Sequence, residues 1–284
     1  MRKTLLATAA VAAAAALSLG PVAASATDTR NANGKGLKAI GLLGDSTLVR
    51  FSLSDPGKAD RLGEVKGLKD GDRDLIGIDY RVQDGKLYAV GRAGGVYSVS
   101  TKSLKASLVD TLDVKPSGKN FGVDFNPAAN ALRIVSDNGQ NLRHSFEAGT
   151  TTADAALQIV AAPNPAAPVS GVTGAAYTNN DLVPTTATTL FDLATASDQV
   201  AIQSPANAGL LVATGATGVN LDGDTGFDIY TQLRNGKAGA QYGFAVDNDQ
   251  LYSVQLLNGE FRGLGKIGGG KGSVEDIAIP LAQG

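Results

Sequence analysis

The chain has 284 residues, with 25 Lys+Arg against 27 Asp+Glu, one His, no Cys and no Trp. This excludes a disulfide framework, a thiol nucleophile, a zinc–thiolate site and a multi-His metal centre. A formal net charge of −2 also lacks the basic footprint of a nucleic-acid binder, so no nucleic-acid partner is expected.

Residues 1–26 read as a secretory signal peptide. Arg2-Lys3 open it, an Ala/Val/Leu run follows from Leu5 to Leu19, and Ala24-Ser25-Ala26 supplies the small residues of a cleavage site. Cleavage removes Arg2 and Lys3, moving the formal net charge from −2 to −4, and removes Met1, the one sulfur. A secreted protein is expected, extracellular or associated with the cell envelope. Residues 27–36 (TDTRNANGKG) read as a flexible arm. No later apolar run reaches the roughly 18 residues of a membrane span.

From residue 37 to 284 a single all-β domain is expected. The segment 37–69 offers three strand-like runs: LKAIGLL, TLVRFSL and DRLGEVKGL. The next unit, about 75–115, offers four: IGIDYR, LYAVG, VYSVS and SLVDTL, separated by VQDGK and RAGG turns. Similar units follow at about 120–162, 171–219 and 225–268. Their first strands align at Gly77, Gly122, Gly174 and Gly226, spaced by 45, 52 and 52 residues. Four strands in that period make one blade of a β-propeller. The lone strand at 274–281 supplies the first strand that the 37–69 unit lacks, which predicts five blades closed by the C-terminal strand and leaves no open sheet edge. A six-bladed ring or an open sandwich is the alternative.

Three stretches carry a resemblance. They are Phe121-Gly122-Val123-Asp124-Phe125-Asn126-Pro127, Leu132–Arg143 (LRIVSDNGQNLR), and Gly171–Asn180 (GVTGAAYTNN). With Gly77–Arg81 before and Gly226–Ile229 after, the chain resembles the bacterial family catalogued as domain of unknown function 4394. The resemblance implies a secreted, propeller-like protein and brings no reaction or catalytic residue with it.

The repeated Asp79, Asp124 and Asp228 sit at one point of the inner strands. A carboxylate ring binding a cation is the functional reading. A buried Asp bonding backbone N–H groups is the structural one, and it is preferred because inner-strand side chains point between blades. Ala176 interrupts the set. The SDNGQNLR hairpin presents Asp137, Asn138, Gln140, Asn141 and Arg143 as candidate ligand contacts, on the face where blade-to-blade links lie. Asp222 and Asp224 flank Gly223 in an oxygen-rich loop, but the twelve-residue calcium pattern is absent. No metal and no cofactor are expected. Asp70, Asp72 and Asp74 read as a solvated turn, His144 as a packed strand residue, and 163–168 (PNPAAP) as a stiff link between blades.

These features favour a binding or scaffold module over an enzyme. Its partner would be a glycan, a peptide or another exported protein, and the protein itself a monomer. The alternative is a hydrolase or lyase that uses carboxylates on an envelope glycan. Two acids roughly 5–10 Å apart in a loop-face pocket would favour that alternative.

Overall fold

The computed structural model describes residues 34–284 except 45, 70, 270, 271, 282 and 284. The expected signal peptide and residues 27–33 of the arm lie outside the described residues, as do Asp45 and Asp70. Gly34–Gly36, the end of that arm, form a turn in which the Leu37 N–H donates to Gly34 O at 3.0 Å.

Alternating apolar residues between Gly, Asn and Asp turns fold as antiparallel strands. In chain order they are β1 Lys38–Leu43, β2 Thr47–Ser52 and β3 Asp55–Glu64; β4 Leu75–Tyr80, β5 Leu87–Gly91, β6 Gly95–Val99 and β7 Ala106–Thr111; β8 Phe121–Asn126, β9 Ala131–Ser136, β10 Asn141–Ser145 and β11 Thr150–Ala153. There follow the short β12 Gln158–Ile159 and β13 Ala167–Pro168, then β14 Val172–Tyr177, β15 Leu190–Ala194, β16 Gln199–Gln203 and β17 Leu210–Ala216. The last are β18 Thr225–Arg234, β19 Lys237–Asp247, β20 Gln250–Val254, β21 Phe261–Lys266 and β22 Val274–Ala278.

They form five sheets around one axis, a five-bladed β-propeller. The first blade runs β22-β1-β2-β3, so the C-terminal strand is its innermost member, with Ile40 opposite Ala278 and Gly41 opposite Ile277. The ring closes as the strand count predicts. The inner strands β4, β8, β14, β18 and β22 touch in that order. Their spacing is tight enough to require glycine: a Cβ on Gly122 would collide with Ala175 N, and one on Gly226 with the Asp276 backbone. The repeat glycines therefore mark close approach between blades, not only turns.

The core lies between blades. Leu42 and Leu48 of the first pack with Ile78, Ala89 and Tyr97 of the second. Tyr88 and Val90 of the second pack with Phe125 and Leu132 of the third. Burying each such side chain contributes about 1.5–3 kcal/mol. Among the described residues no helix is long and apolar enough to cross a membrane.

Three expectations need correction. The third unit, read as 120–162, ends its sheet at β11; β12 pairs in parallel with β17 and extends the fourth blade. The 163–168 segment is not a plain link, because it turns back so that β13 pairs with β12. The 70–74 turn is also not simply solvated. Asp72 is buried and accepts the Gly95 N–H at 3.0 Å, the Tyr97 hydroxyl at 2.8 Å and the Ala93 N–H. Tyr97 and Gly95 lie beyond the reach of a local turn rule, so only the packed sheet supplies these donors.

Candidate functional site

The first-to-second and third-to-fourth hairpins of a meandering blade lie on one face of the ring. The second-to-third hairpins and the blade links lie on the other. On the first face the inner strands open into a small axial pit. It is lined by Asp79, Asp124 and Asp228, with Tyr80, Asn179 and Asn180 at its wall. The cavity is about 10 Å³.

The three carboxylates each offer an oxygen within 4.8 Å of the others. Each also reaches a neighbouring blade. Asp79 accepts the Tyr80 N–H at 2.6 Å and the Phe125 N–H of the next blade at 2.9 Å. Asp124 takes the N–H of Tyr177. Asp228 accepts from Ile229 at 2.5 Å and from Ile279 at 2.5 Å. Inner strands of different blades share no sheet ladder, so these side chains provide the polar link instead.

A fourth member does not show in the sequence repeat. Asp276 on β22 accepts the Ile277 N–H at 2.9 Å and the Ile78 N–H at 2.7 Å. Ala278 takes the place of the repeat Asp on this strand, and Asp276 lies two residues earlier, where the other blades carry Gly. An Asp inside the alternating Val-Glu-Asp-Ile-Ala-Ile run was the available signal. At the β14–β18 junction, where Ala176 stands, the Asn179 N–H donates to Thr231 Oγ1 at 2.9 Å instead.

Burial pushes all four carboxyls upward. Asp79 is raised well above the usual carboxylate range by burial and then by the charge of Asp228; Asp124 is raised well above it by burial and then by Asp79. Asp276 is also raised well above it by burial, against its N–H donors. Asp228 rises to about 7 through burial, opposed by the Ile279 and Ile229 N–H groups. No Lys or Arg lines the pit. Neutralisation falls to protons or to a hard cation, for which oxygen-only donors at this separation are suitable ligands. The Tyr80 hydroxyl at the wall is raised to about 12 by burial and by Asp79.

The predicted ligand hairpin lies on the opposite face, away from this pit. Asp137 accepts the Lys119 N–H at 2.9 Å, Asn138 donates to Ser117 Oγ at 2.9 Å, and Gln140 bonds Ser117 N–H at 2.8 Å and Lys115 O at 3.1 Å. These side chains hold down the link between the second and third blades. Asn141 and Arg143 turn elsewhere, into a buried network. Arg133, 2% exposed, donates to Asn141 Oδ1 at 2.7 Å, Asp154 Oδ2 at 2.8 Å and Asn207 Oδ1 at 2.8 Å. Arg143 pairs with Asp154 at 3.1 Å. Asp192 completes the region: it is fully buried, neither oxygen has a hydrogen-bond partner, and burial raises it to about 8 against the pull of Arg133. Arg133, Asp154 and Asp192 were not legible in sequence, since each sits inside an ordinary strand or loop run.

Asp222 and Asp224 join no converging group of three metal-ligating side chains among the described residues. The Asp222 N–H donates to Asp247 at 2.9 Å, and its carboxylate takes Asn248 Nδ2 at 2.5 Å. His144 is fully buried, with Nδ1 3.1 Å from Thr151 Oγ1 and Nε2 3.2 Å from Asp110 but not aligned for a hydrogen bond. It has no exposed edge to offer a substrate.

Similar solved structures share little sequence. An auxiliary nutrient binding protein from Bacteroides ovatus ATCC 8483 is 12% identical over 70% of this chain and 50% of its own, with a TM-score of 0.41. Myxococcus xanthus glutaminyl cyclase is 13% identical over 83% of each chain, with a TM-score of 0.41. A structural genomics protein of unknown function from Bacteroides thetaiotaomicron VPI-5482 is 15% identical over 86% of this chain and 66% of its own, with a TM-score of 0.42. The chain thus spans half the length of the first. No curated protein matches it. Residues 47–278 match the family described as Domain of unknown function (DUF4394), and the chain belongs to that family.

Proposed function

We propose that the chain is an exported, non-catalytic binding or scaffold module whose contact surface is the hairpin face carrying the axial pit. Export rests on the leader-like sequence of residues 1–26. The size of the pit carries the rest. At about 10 Å³ it has room for one water or one ion, far below the roughly 300 Å³ at which small-molecule pockets begin.

Three converging carboxylates raise glycoside cleavage as the alternative, although their oxygens lie within 4.8 Å of one another, closer than the roughly 5–10 Å of a glycoside-cleaving pair. Access argues against it. Asp79 and Asp228 each hold backbone N–H groups with both oxygens, and a pit of about 10 Å³ admits no sugar ring to them. In this reading the axial acids are staples between blades.

The test incubates the full chain with envelope glycans and short peptides. Binding is read by thermal shift and turnover by released reducing ends or amines. A ligand at 100 times its dissociation constant adds about 2.7 kcal/mol, or roughly 5–10 °C for a chain of this size. A shift without product supports the module. Product formation that disappears in Asp124→Asn overturns it.

A further inference from the structure

We propose that the second blade carries a binding groove for acidic glycans, on the same face as the axial pit. The inference rests on the binding-module reading and names the ligand class. The groove has a volume of about 270 Å³ and is lined by Lys86 and Lys105 with Ser98, Ser100, Ser103 and Ser107. That is close to the lower bound of small-molecule pockets, about 300 Å³, and well above the 10 Å³ of the pit.

Its construction follows from the blade. Lys86 leads out of the first-to-second hairpin into β5, and Ser100 to Lys105 form the third-to-fourth hairpin between β6 and β7. Both hairpins lie on one face. Ser98 and Ser107 are direct partners across the β6–β7 ladder, and Ser100 Oγ braces the hairpin by accepting the Ser103 N–H at 3.2 Å. Val99, which also lines the groove, is buried.

The charge is only partly spent. Lys105 has no carboxylate within 4.0 Å among the described residues. Lys86 stands 3.8 Å from Asp84, whose same oxygen also takes the Tyr88 hydroxyl at 2.9 Å and faces Arg81 at 3.4 Å. Exposed Lys102 stands in the same hairpin, and exposed Lys66 joins Lys105 by a parallel β-bridge. Of these, Lys86 and Lys105 line the groove itself, and Lys66 and Lys102 add positive charge on the adjoining chain.

Ammonium groups bind oxyanions as point charges. The serine hydroxyls both donate and accept, as sugar hydroxyls require. Together they suit a polysaccharide bearing carboxylate or sulfate groups. A protein polyanion would also use the charge, but it lacks the dense hydroxyl groups of a sugar chain that match a row of serines.

The experiment titrates the full chain with polygalacturonate, dextran sulfate, neutral dextran and polyglutamate. The variants are Lys86→Gln/Lys105→Gln and, separately, Ser107→Glu. The expected result is binding of one or both acidic polysaccharides and weaker or no binding of neutral dextran and polyglutamate. Affinity falls about tenfold in the double variant and further in Ser107→Glu, with unchanged melting. Polygalacturonate alone assigns carboxylate, and dextran sulfate alone assigns sulfate. No binding of either, equal binding in the double variant, or equal binding of polyglutamate overturns the groove. Equal binding in the variants leaves the module reading intact, whereas glycan cleavage defeats that reading and is scored separately.

Discussion

The carboxylate of Asp276, on the last strand, accepts the N–H of Ile78, on the second blade, at 2.7 Å across 198 residues of sequence. The same carboxylate takes the Ile277 N–H at 2.9 Å. It links the closing strand to the second blade, while β22 itself is laddered to the first. Asp276→Ala leaves two buried donors without a partner. Each such group costs about 1–3 kcal/mol, so a drop in Tm of roughly 5–10 °C is expected. Asp276→Asn retains one acceptor and should fall between wild type and Asp276→Ala. Calorimetric melting of the three proteins checks this order.

The axial and buried acids set a pH dependence. Asp228 is raised to about 7 and Asp192 to about 8 in the fold, against about 3.9 in an unfolded chain. The folded state therefore holds protons more tightly. The stability this contributes is complete below about pH 4 and is lost as pH rises through about 7 to 8. In excess chelator, Tm is expected to fall across that interval. Calcium, which suits the axial oxygens, is expected to flatten the slope. A Tm that rises with pH in chelator would contradict this account.

Asp192 tests a different cost. Its buried carboxyl has no hydrogen-bond partner, and an unpaired polar group of this kind is unfavourable. Asp192→Ala is expected to be neutral or stabilising at about pH 9, where the wild-type carboxyl is charged. At about pH 5 it should be mildly destabilising, because a small cavity remains while the charge penalty is gone. Urea titrations at the two pH values measure the sign change.

Arg133 should behave in the opposite way. Removing its guanidinium leaves Asp154, 5% exposed as a side chain, with only Arg143. Breaking a buried pair in this way costs about 3–5 kcal/mol. Arg133→Met is therefore expected to lower Tm by roughly 10 °C. Arg133→Met combined with Asp154→Asn should recover part of the loss, since the buried carboxylate is neutralised and only the partly exposed Arg143 loses its partner. A double-mutant cycle gives the coupling.

Gln283 closes the ring a second time. Its side-chain amide accepts the Lys38 N–H and donates to Lys38 O, both at 2.9 Å. These bonds are exposed, but the hydroxyl of buried Tyr230 also donates to Gln283 O, so ending the chain at Leu281 is expected to cost about 2–3 kcal/mol. Hydrogen exchange should show faster exchange at Lys38 while the central strands keep their protection.

The architecture was legible because it is periodic. Gly77, Gly122, Gly174 and Gly226 recur at nearly one blade length, and the count of three strands at one end and one at the other required closure. Strand alternation placed Asp79, Asp124 and Asp228 on the inner strands for the same reason. What remained hidden depends on neighbours remote in the chain. Asp276 works at the axis although its strand carries Ala278 at the repeat position, and Asp72 is buried only because Tyr97 and Gly95 fold over it. The SDNGQNLR hairpin was recognisable as a turn, but only the packed blades direct Gln140 to the 115–117 link and Asn141 to Arg133. Local sequence sets strand period and turn chemistry. Partners for buried charge are set by which strands the ring brings together, and a single chain read in order does not contain that information.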